Sequence, residues 1–421
     1  MEIRLPYGKE ELAIELPRER IKGILSTSLG EQSPPGGECE LIERALASPV
    51  AGPPLSEMAR GRKEVVIITS DHTRPLPSKV TLPPTLKAVR RGNPHAEITI
   101  LMATGYHRAP TREELEDKLG QEITGEERIL IHSAREKEQM EVVGRLPSGQ
   151  QLAINRAALK ADLLLAEGFI EPHLFAGFSG GAKSILPGIA GQESIFGNHC
   201  AEFIAHPRAR TGILTGNPIQ EDIRAAARLA GLDFILNVAL NSTHQVIGAF
   251  AGEPEAAHNK GCEYVESLTR VKSPRAEIVI TTNGGYPLDQ NIYQGVKGMT
   301  AAEAACQKGG TIIAISRCSD GHGSDDFYQE MTGMASPEKI WEEINKRSRK
   351  ETRPDQWQAQ ILARILSRFR VIMVTGAPRN MVENMHLEWA PSVGEALKMI
   401  DSGGKITVIP DGVGVIVDAD S

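Results

Sequence analysis

The sequence predicts an α/β protein of two domains, each on a mainly parallel sheet, and three observations carry that expectation. At 421 residues the chain exceeds what one ordinary hydrophobic core serves. Hydrophobic residues make up 40% and aromatics only 4%, so burial falls to Val, Ile, Leu and Ala, the residues of helices packed on parallel strands. Short Val- and Ile-rich runs also alternate with helical stretches, in two series separated by a charged, Pro-containing segment at 269–275.

Taken in order, the N-terminus MEIRLPYGKEELAIELP carries charges throughout and has no apolar core of a leader, and no later run approaches membrane length. A cytoplasmic protein without a membrane partner is expected. The Pro-, Gly- and Glu-rich segment 33–52 reads as a surface loop. The first strand series is EVVIITS (64–70), AEITILMA (96–103), ERILIHS (127–133), ADLLLAEG (161–168) and DFILNVAL (233–240). The second is AEIVITTN (276–283), GTIIAISR (310–317), FRVIMVTG (369–376) and GKITVIPD (404–411). Domains at 1–272 and 273–421 follow from the gap between them.

The net charge is −7, which gives no reason to seek nucleic acid. Five cysteines, odd in number and without a C-x-x-C pair, suggest neither a disulfide framework nor a zinc cage, and fit a reducing compartment.

In open α/β sheets, ligands gather at the carboxyl ends of strands. The polar motifs of this chain sit there: DHTRP after EVVIITS, YHR after ILMATG, FIEPH after LLLAEG, and GGYPLDQNIYQGVKG after IVITTN. DHTRP presents Asp71, His72, Thr73 and Arg74. It is either an Asx-type turn with an exposed arginine, or a site in which Arg74 grips a carboxylate in bidentate fashion. His107 and His173 follow separate strands. Two imidazoles titrating near neutrality can exchange acid and base roles if they converge on one ligand.

The densest signal is EPHLFAGFSGGAKSILPGIAGQESIFGNH, 171–199. Its glycines at 177, 180, 181 and 188 let backbone approach a ligand, and a helix beginning near Lys183 would hold an anion at its N-terminus. GFSGGAKS nearly satisfies the nucleotide-binding P-loop pattern, but Ala182 stands where a glycine should precede Lys183. Lys183 can equally be a nucleophile that tethers a ligand. His199 suits nickel, copper, iron or zinc, with His206 a weaker second ligand, yet no second histidine at i+4 completes a cage. A metal on His199 would bring most of its ligands from elsewhere. In the second series Tyr293, Gln294 and Lys297 supply a phenol, an amide and a cation. Trp357 is a further candidate, or simply a helix anchor.

Together DHTRP, ATGYHR, GFIEPHLFAGFSGGAKSILPGIAG, GNH and YQGVK resemble, in order and spacing, the motif series of the nickel-pincer lactate racemase family. The resemblance is strong over 64–300, and Trp357 extends it more weakly. It implies a two-domain α/β isomerase with its active site in the cleft between domains, acting on a 2-hydroxy acid, with lactate the default. It also implies the cofactor Ni(II)-pyridinium-3,5-bisthiocarboxylate mononucleotide, and cofactor-synthesising enzymes as partners. By the same resemblance Lys183 tethers the cofactor, His199 ligates nickel, and Asp71, His72, Thr73 and Arg74 lie on the cofactor side. His107 and His173 are its acid/base pair, serving hydride removal to a 2-keto acid and return to the other face. Arg74, Tyr293, Gln294, Lys297 and Trp357 are its substrate contacts. Tyr106 and Leu174, beside the two histidines, depart from the pattern and bear on substrate fit. A non-catalytic carrier of the same cofactor would need Lys183 and His199, but not the histidine pair with Arg74.

Overall fold

The computed structural model describes residues 1–400 and 403–419. Packing divides the chain into two compact units, one of Ser28–Asn198 and Arg208–Leu268, the other of Met1–Thr27, His199–Pro207 and Thr269–Ser421. Both are α/β with mainly parallel sheets. Neither unit is one continuous stretch, because residues 1–27 and 199–207 pack with the chain's C-terminal part.

The first unit is built on a six-stranded sheet in the order Val246–Gly252, Phe234–Leu240, Leu163–Phe169, Glu64–Ser70, Glu97–Ala103, Arg128–Ile131. All neighbours are parallel except Phe234–Leu240 with Val246–Gly252, which are antiparallel. Val65 and Ile67 face a core shared with Ile42, Leu46, Leu82 and Val89 of the covering helices. Val66 and Ile68, on the opposite face, are also buried. Burial on both faces explains why these strands read as continuous apolar runs rather than alternating ones. The expected loop at 33–52 instead contains the helix Glu38–Ala47, which buries Leu41, Ile42, Ala45 and Leu46. That apolar stripe, at helical spacing, outweighs the Pro and Gly residues preceding it.

The second unit carries a fully parallel sheet in the order Glu388–Ala390, Arg370–Val374, Cys306–Ile315, Ala276–Thr282, Ile406–Ile409, Ile21–Ile24. The N-terminal segment joins this unit for two reasons. Ile21–Ile24 pairs with Ile406–Ile409 as an edge strand. The hairpin Glu2–Tyr7/Glu10–Glu15 sends Ile3, Leu5 and Ile14 into the core beside Ile278, Ile280 and Ile313. Among the described residues no helix is long and apolar enough to cross a membrane.

Candidate functional site

In the first unit, Glu64–Ser70 lies between Leu163–Phe169 and Glu97–Ala103, and all three run parallel. Their carboxyl ends therefore open on one edge of the sheet, where the chain continues into Asp71, His107 and His173. Strand direction and adjacency alone bring these motifs to one place.

Asp71 is 1% exposed. One of its carboxylate oxygens, Oδ1, accepts from the backbone N–H of Thr73 at 3.0 Å and from its hydroxyl at 2.6 Å, which is the Asx turn the sequence allows. The other, Oδ2, lies 2.7 Å from His107 Nδ1. Burial works to raise the Asp71 carboxyl, but the hydrogen bond and charge of His107, the Thr73 hydroxyl and the Arg74 charge outweigh it and hold it at about 2. A carboxylate only accepts, so Nδ1 of His107 donates. In neutral His107 the Nε2 lone pair is then available on a side chain that is 42% exposed. Arg74 is exposed and donates to the Thr73 hydroxyl at 3.2 Å. His72 turns away from this cluster: its Nε2 lies 3.5 Å from Glu114, whose carboxylate is held near 2 by Arg108 and by the backbone of Thr111.

His173 is held differently. It belongs to a short antiparallel pair, Pro172–His173 with Gly177–Phe178, and its Nδ1 accepts from the backbone N–H of Ala176 at 3.3 Å. The edge of Phe175 packs on its ring at a centroid distance of 4.6 Å, and Lys183 Nζ lies 3.5 Å from its Nε2.

Lys183 sits on a single 3-10 turn, Gly181–Ser184, and not at the start of an α-helix. The turn is forced against the sheet: Gly181 donates its N–H to Asn237 Oδ1 at 2.7 Å, and a Cβ at Gly180 would lie 2.7 Å from that oxygen and 2.9 Å from Phe169 O. Gly180 and Gly181 also have φ of 76° and 55°, which other residues rarely adopt. Without a helix after it, the turn lacks the dipole and aligned N–H groups that hold polyphosphate in a P-loop, so the nucleotide-binding reading has no physical support. The loop is tied to the His107 turn, since Gly105 N donates to Gly188 O and Gly188 N donates to Lys183 O.

Two residues that sequence reasoning passed over lie beneath this edge. Lys118 is 8% exposed and donates to the carbonyls of Arg74 and Leu76 at 2.8 and 2.7 Å, fixing the loop that carries Arg74. Burial pulls its ammonium down to about 8, against the charges of Glu167 and Asp71. Glu167, 3% exposed, accepts from the hydroxyls of Thr69 at 2.5 Å and Thr81 at 2.6 Å. Its carboxyl is pushed up by burial, against those hydroxyls and the charge of Lys118. A lone carboxylate inside the apolar run LLLAEG was the available signal for Glu167. REELEDKL, charged at nearly every position, held none for Lys118.

The remaining candidates lie in the second unit. His199 is 6% exposed, and its ring meets that of Trp357 edge-on, at 5.1 Å and 79°. Tyr293, Gln294 and Lys297 occupy the first turns of the helix Ile292–Ala305, where i and i+4 spacing puts Tyr293 and Lys297 on one face. Tyr293 accepts from Trp357 Nε1 at 3.1 Å. Gln294 is fixed through its backbone, its N–H donating to the capping Asn291, while its side-chain oxygen is buried without a hydrogen-bond partner.

Among the described residues no three His, Cys, Asp or Glu side chains are grouped to hold a metal. The described residues therefore form no protein-only metal cage.

Comparison with known proteins gives concordant matches across the chain. The lactate racemase N-terminal domain model matches residues 7–212 and the lactate racemase C-terminal domain model residues 271–417. A lactate racemase of Thermoanaerobacterium thermosaccharolyticum is 52% identical over 420 residues, and one of Lactiplantibacillus plantarum 46% identical over 420, each alignment covering 99% of both chains. The solved lactate racemase apoprotein of the former organism superposes with a TM-score of 0.96 at 51% identity, over 99% of this chain and 100% of that one. A Thermotoga maritima protein shares the fold, with a TM-score of 0.68 at 21% identity over 91% of this chain and 98% of that one.

Proposed function

The chain belongs to the lactate racemase family, and from that premise we propose that it is an isomerase that inverts a 2-hydroxy acid, lactate by default, by proton-coupled hydride transfer through a planar 2-keto acid. The observation that carries this reading is the pair of histidines on one sheet edge, each held by a different partner at Nδ1. His107, with Nδ1–H on the Asp71 carboxylate, presents a base at Nε2. His173 accepts a backbone N–H at Nδ1 and has Lys183 Nζ 3.5 Å from its Nε2. Inversion requires one group to take the hydroxyl proton and another to supply it after the second face is attacked, and the roles exchange in the reverse direction.

The other residues divide the remaining tasks. Arg74 grips the substrate carboxylate, and Tyr293, Gln294, Lys297 and Trp357 orient the acid. Lys183 tethers a nickel-pincer nucleotide, His199 ligates its metal, and the segment 71–74 lines the cofactor side. When bound, that group supplies the acceptor and return donor for the substrate hydride. The nearness of Lys183 to His173, at 3.5 Å, favours this assignment, because it puts the tether beside a proton-transfer group.

The test is expression of the chain together with cofactor-synthesising enzymes. The expected result is about one nickel per chain and interconversion of lactate enantiomers without added NAD, with the rate down about 100-fold or more in His107→Ala or His173→Ala. An active, metal-free preparation would overturn the cofactor assignment. Full activity in either variant would overturn that histidine's role.

A further inference from the structure

Asp355 begins the helix Gln356–Leu366 with φ 57° and ψ 4°, in the left-handed region where a non-glycine residue is strained. An aspartate at this position ordinarily caps its helix by accepting a backbone N–H. Asp355 makes no such cap bond. Its carboxylate is turned instead to two hydroxyls, Tyr293 at 3.1 Å on Oδ1 and Ser324 at 2.6 Å on Oδ2.

The direction of every bond in this chain is fixed by chemistry. An indole N–H only donates, so Trp357 Nε1 gives its proton to the Tyr293 oxygen. The Tyr293 hydroxyl, already accepting, donates to Asp355, and the Ser324 hydroxyl donates to the other oxygen. Both donations end on one carboxylate. At the far end, the Trp357 ring meets His199 edge-on at 5.1 Å. Gln358, one residue past Trp357, donates to the Tyr293 backbone carbonyl at 2.6 Å and so sets the separation of the two helices. A strained aspartate that forgoes its cap thus fixes the rotation of Trp357 about its side chain, and Trp357 packs against the imidazole.

The geometry points to Asp355 as a positioning residue of the racemase reaction, acting through Tyr293 and Trp357 on the plane of His199. The inference rests on the reading of His199 as the nickel ligand. Asp355 touches no reacting atom. Its role is to hold two substrate-side rings and one ligand in a single orientation, as outer partners of metal-bound histidines do.

Two variants separate this from a merely structural role. Asp355→Asn keeps the size and the tolerance of left-handed backbone, but it loses the charge and leaves a single amide oxygen, facing one of the two hydroxyls, as acceptor. Asp355→Gly removes the carboxylate and relieves the backbone strain together. In nickel-loaded protein both are expected to lower kcat about 10-fold or more with nickel content unchanged. Both should also move the visible absorption of the nickel centre and shift the indole N–H resonance of Trp357, one of three tryptophans. Asp355→Gly should do so with its melting midpoint at or above that of the parent. The inference is overturned if either variant keeps kcat within about twofold of the parent. It is also overturned if activity falls only in step with the melting midpoint while both spectra stay put. His199→Ala in the parent chain is the separate control. An untouched nickel absorption there would remove His199 from the metal, while the Trp357 resonance in the Asp355 variants would still report on the hydrogen-bond chain itself.

Discussion

His107 and His173 leave adjacent parts of one sheet edge, yet the protein controls them by different means. His107 leans on a carboxylate that is 1% exposed, in a loop stitched from below by the buried Lys118. His173 is held by a backbone N–H at 3.3 Å and by the edge of Phe175. A buried charge enforces one tautomer strongly and stabilises the imidazolium when it forms, whereas a neutral amide at longer range biases the tautomer weakly. Asymmetric support for a pair with exchangeable roles predicts that damage on the two sides will not be equivalent.

The largest effect is expected at Asp71. In Asp71→Asn the group facing His107 can become an amide N–H, which would draw the Nδ1 lone pair and move the proton to Nε2, removing the base. Loss of the same tautomer control in hydrolytic triads costs about 10⁴ in kcat. We expect a fall in kcat of about 100-fold or more, with little change in KM, measured as lactate racemisation in each direction. A fall no larger than that produced by Phe175→Leu would erase the asymmetry between the two histidines.

Acid stability offers a second way to break the comparison. The Asp71 carboxyl is held at about 2 in the folded protein, below its value of about 3.9 in an unfolded chain. A depressed carboxyl stabilises the fold above its unfolded pKa, and that contribution is lost as pH falls through the window from about 4 to about 2. Its size is on the order of 2 kcal/mol, since a pKa unit corresponds to about 1.4 kcal/mol. Chemical denaturation of the parent and of Asp71→Asn, from pH 6 downward, should show curves that converge over this window. Parallel curves would mean that the carboxylate is not what anchors His107.

Much of this site was legible because it depends on strand order and strand ends. EVVIITS forms the strand Glu64–Ser70 residue for residue, and DHTRP, YHR and EPH follow parallel neighbours, as the carboxyl-end rule expects. What was hidden depends on tertiary proximity. Ile21–Ile24 is too short to announce which sheet it joins, and only its pairing with Ile406–Ile409 draws the N-terminus into the second unit. The helix Glu38–Ala47 was obscured by the Pro and Gly residues before it. The expected helix at Lys183 shortened to one 3-10 turn because Gly180 and Gly181 press against Asn237 and His258. Lys118 looks like an ordinary member of a charged helix, and Asp355 like an ordinary helix cap, until the loop of Arg74 and the hydroxyl of Tyr293 fall within their reach.

The smallest expected effect is at Lys118, and it sharpens the contrast by falling on a different kinetic constant. Lys118 bonds the carbonyls of Arg74 and Leu76 and touches neither histidine in these bonds. Lys118→Met keeps the volume of the stem but leaves two carbonyls without their donor, at a cost of about 1–3 kcal/mol shared between stability and loop geometry. The loop of Arg74 would then sit less firmly, while Asp71 keeps its bonds to Thr73 and His107. The carboxylate grip acts on bound substrate and transition state alike, so its loosening raises KM and spares kcat. We expect KM for lactate to rise about 5-fold with kcat within about twofold of the parent. If kcat falls instead, Lys118 supports the Asp71–His107 pair and not the arginine, and the loop and the base form a single unit.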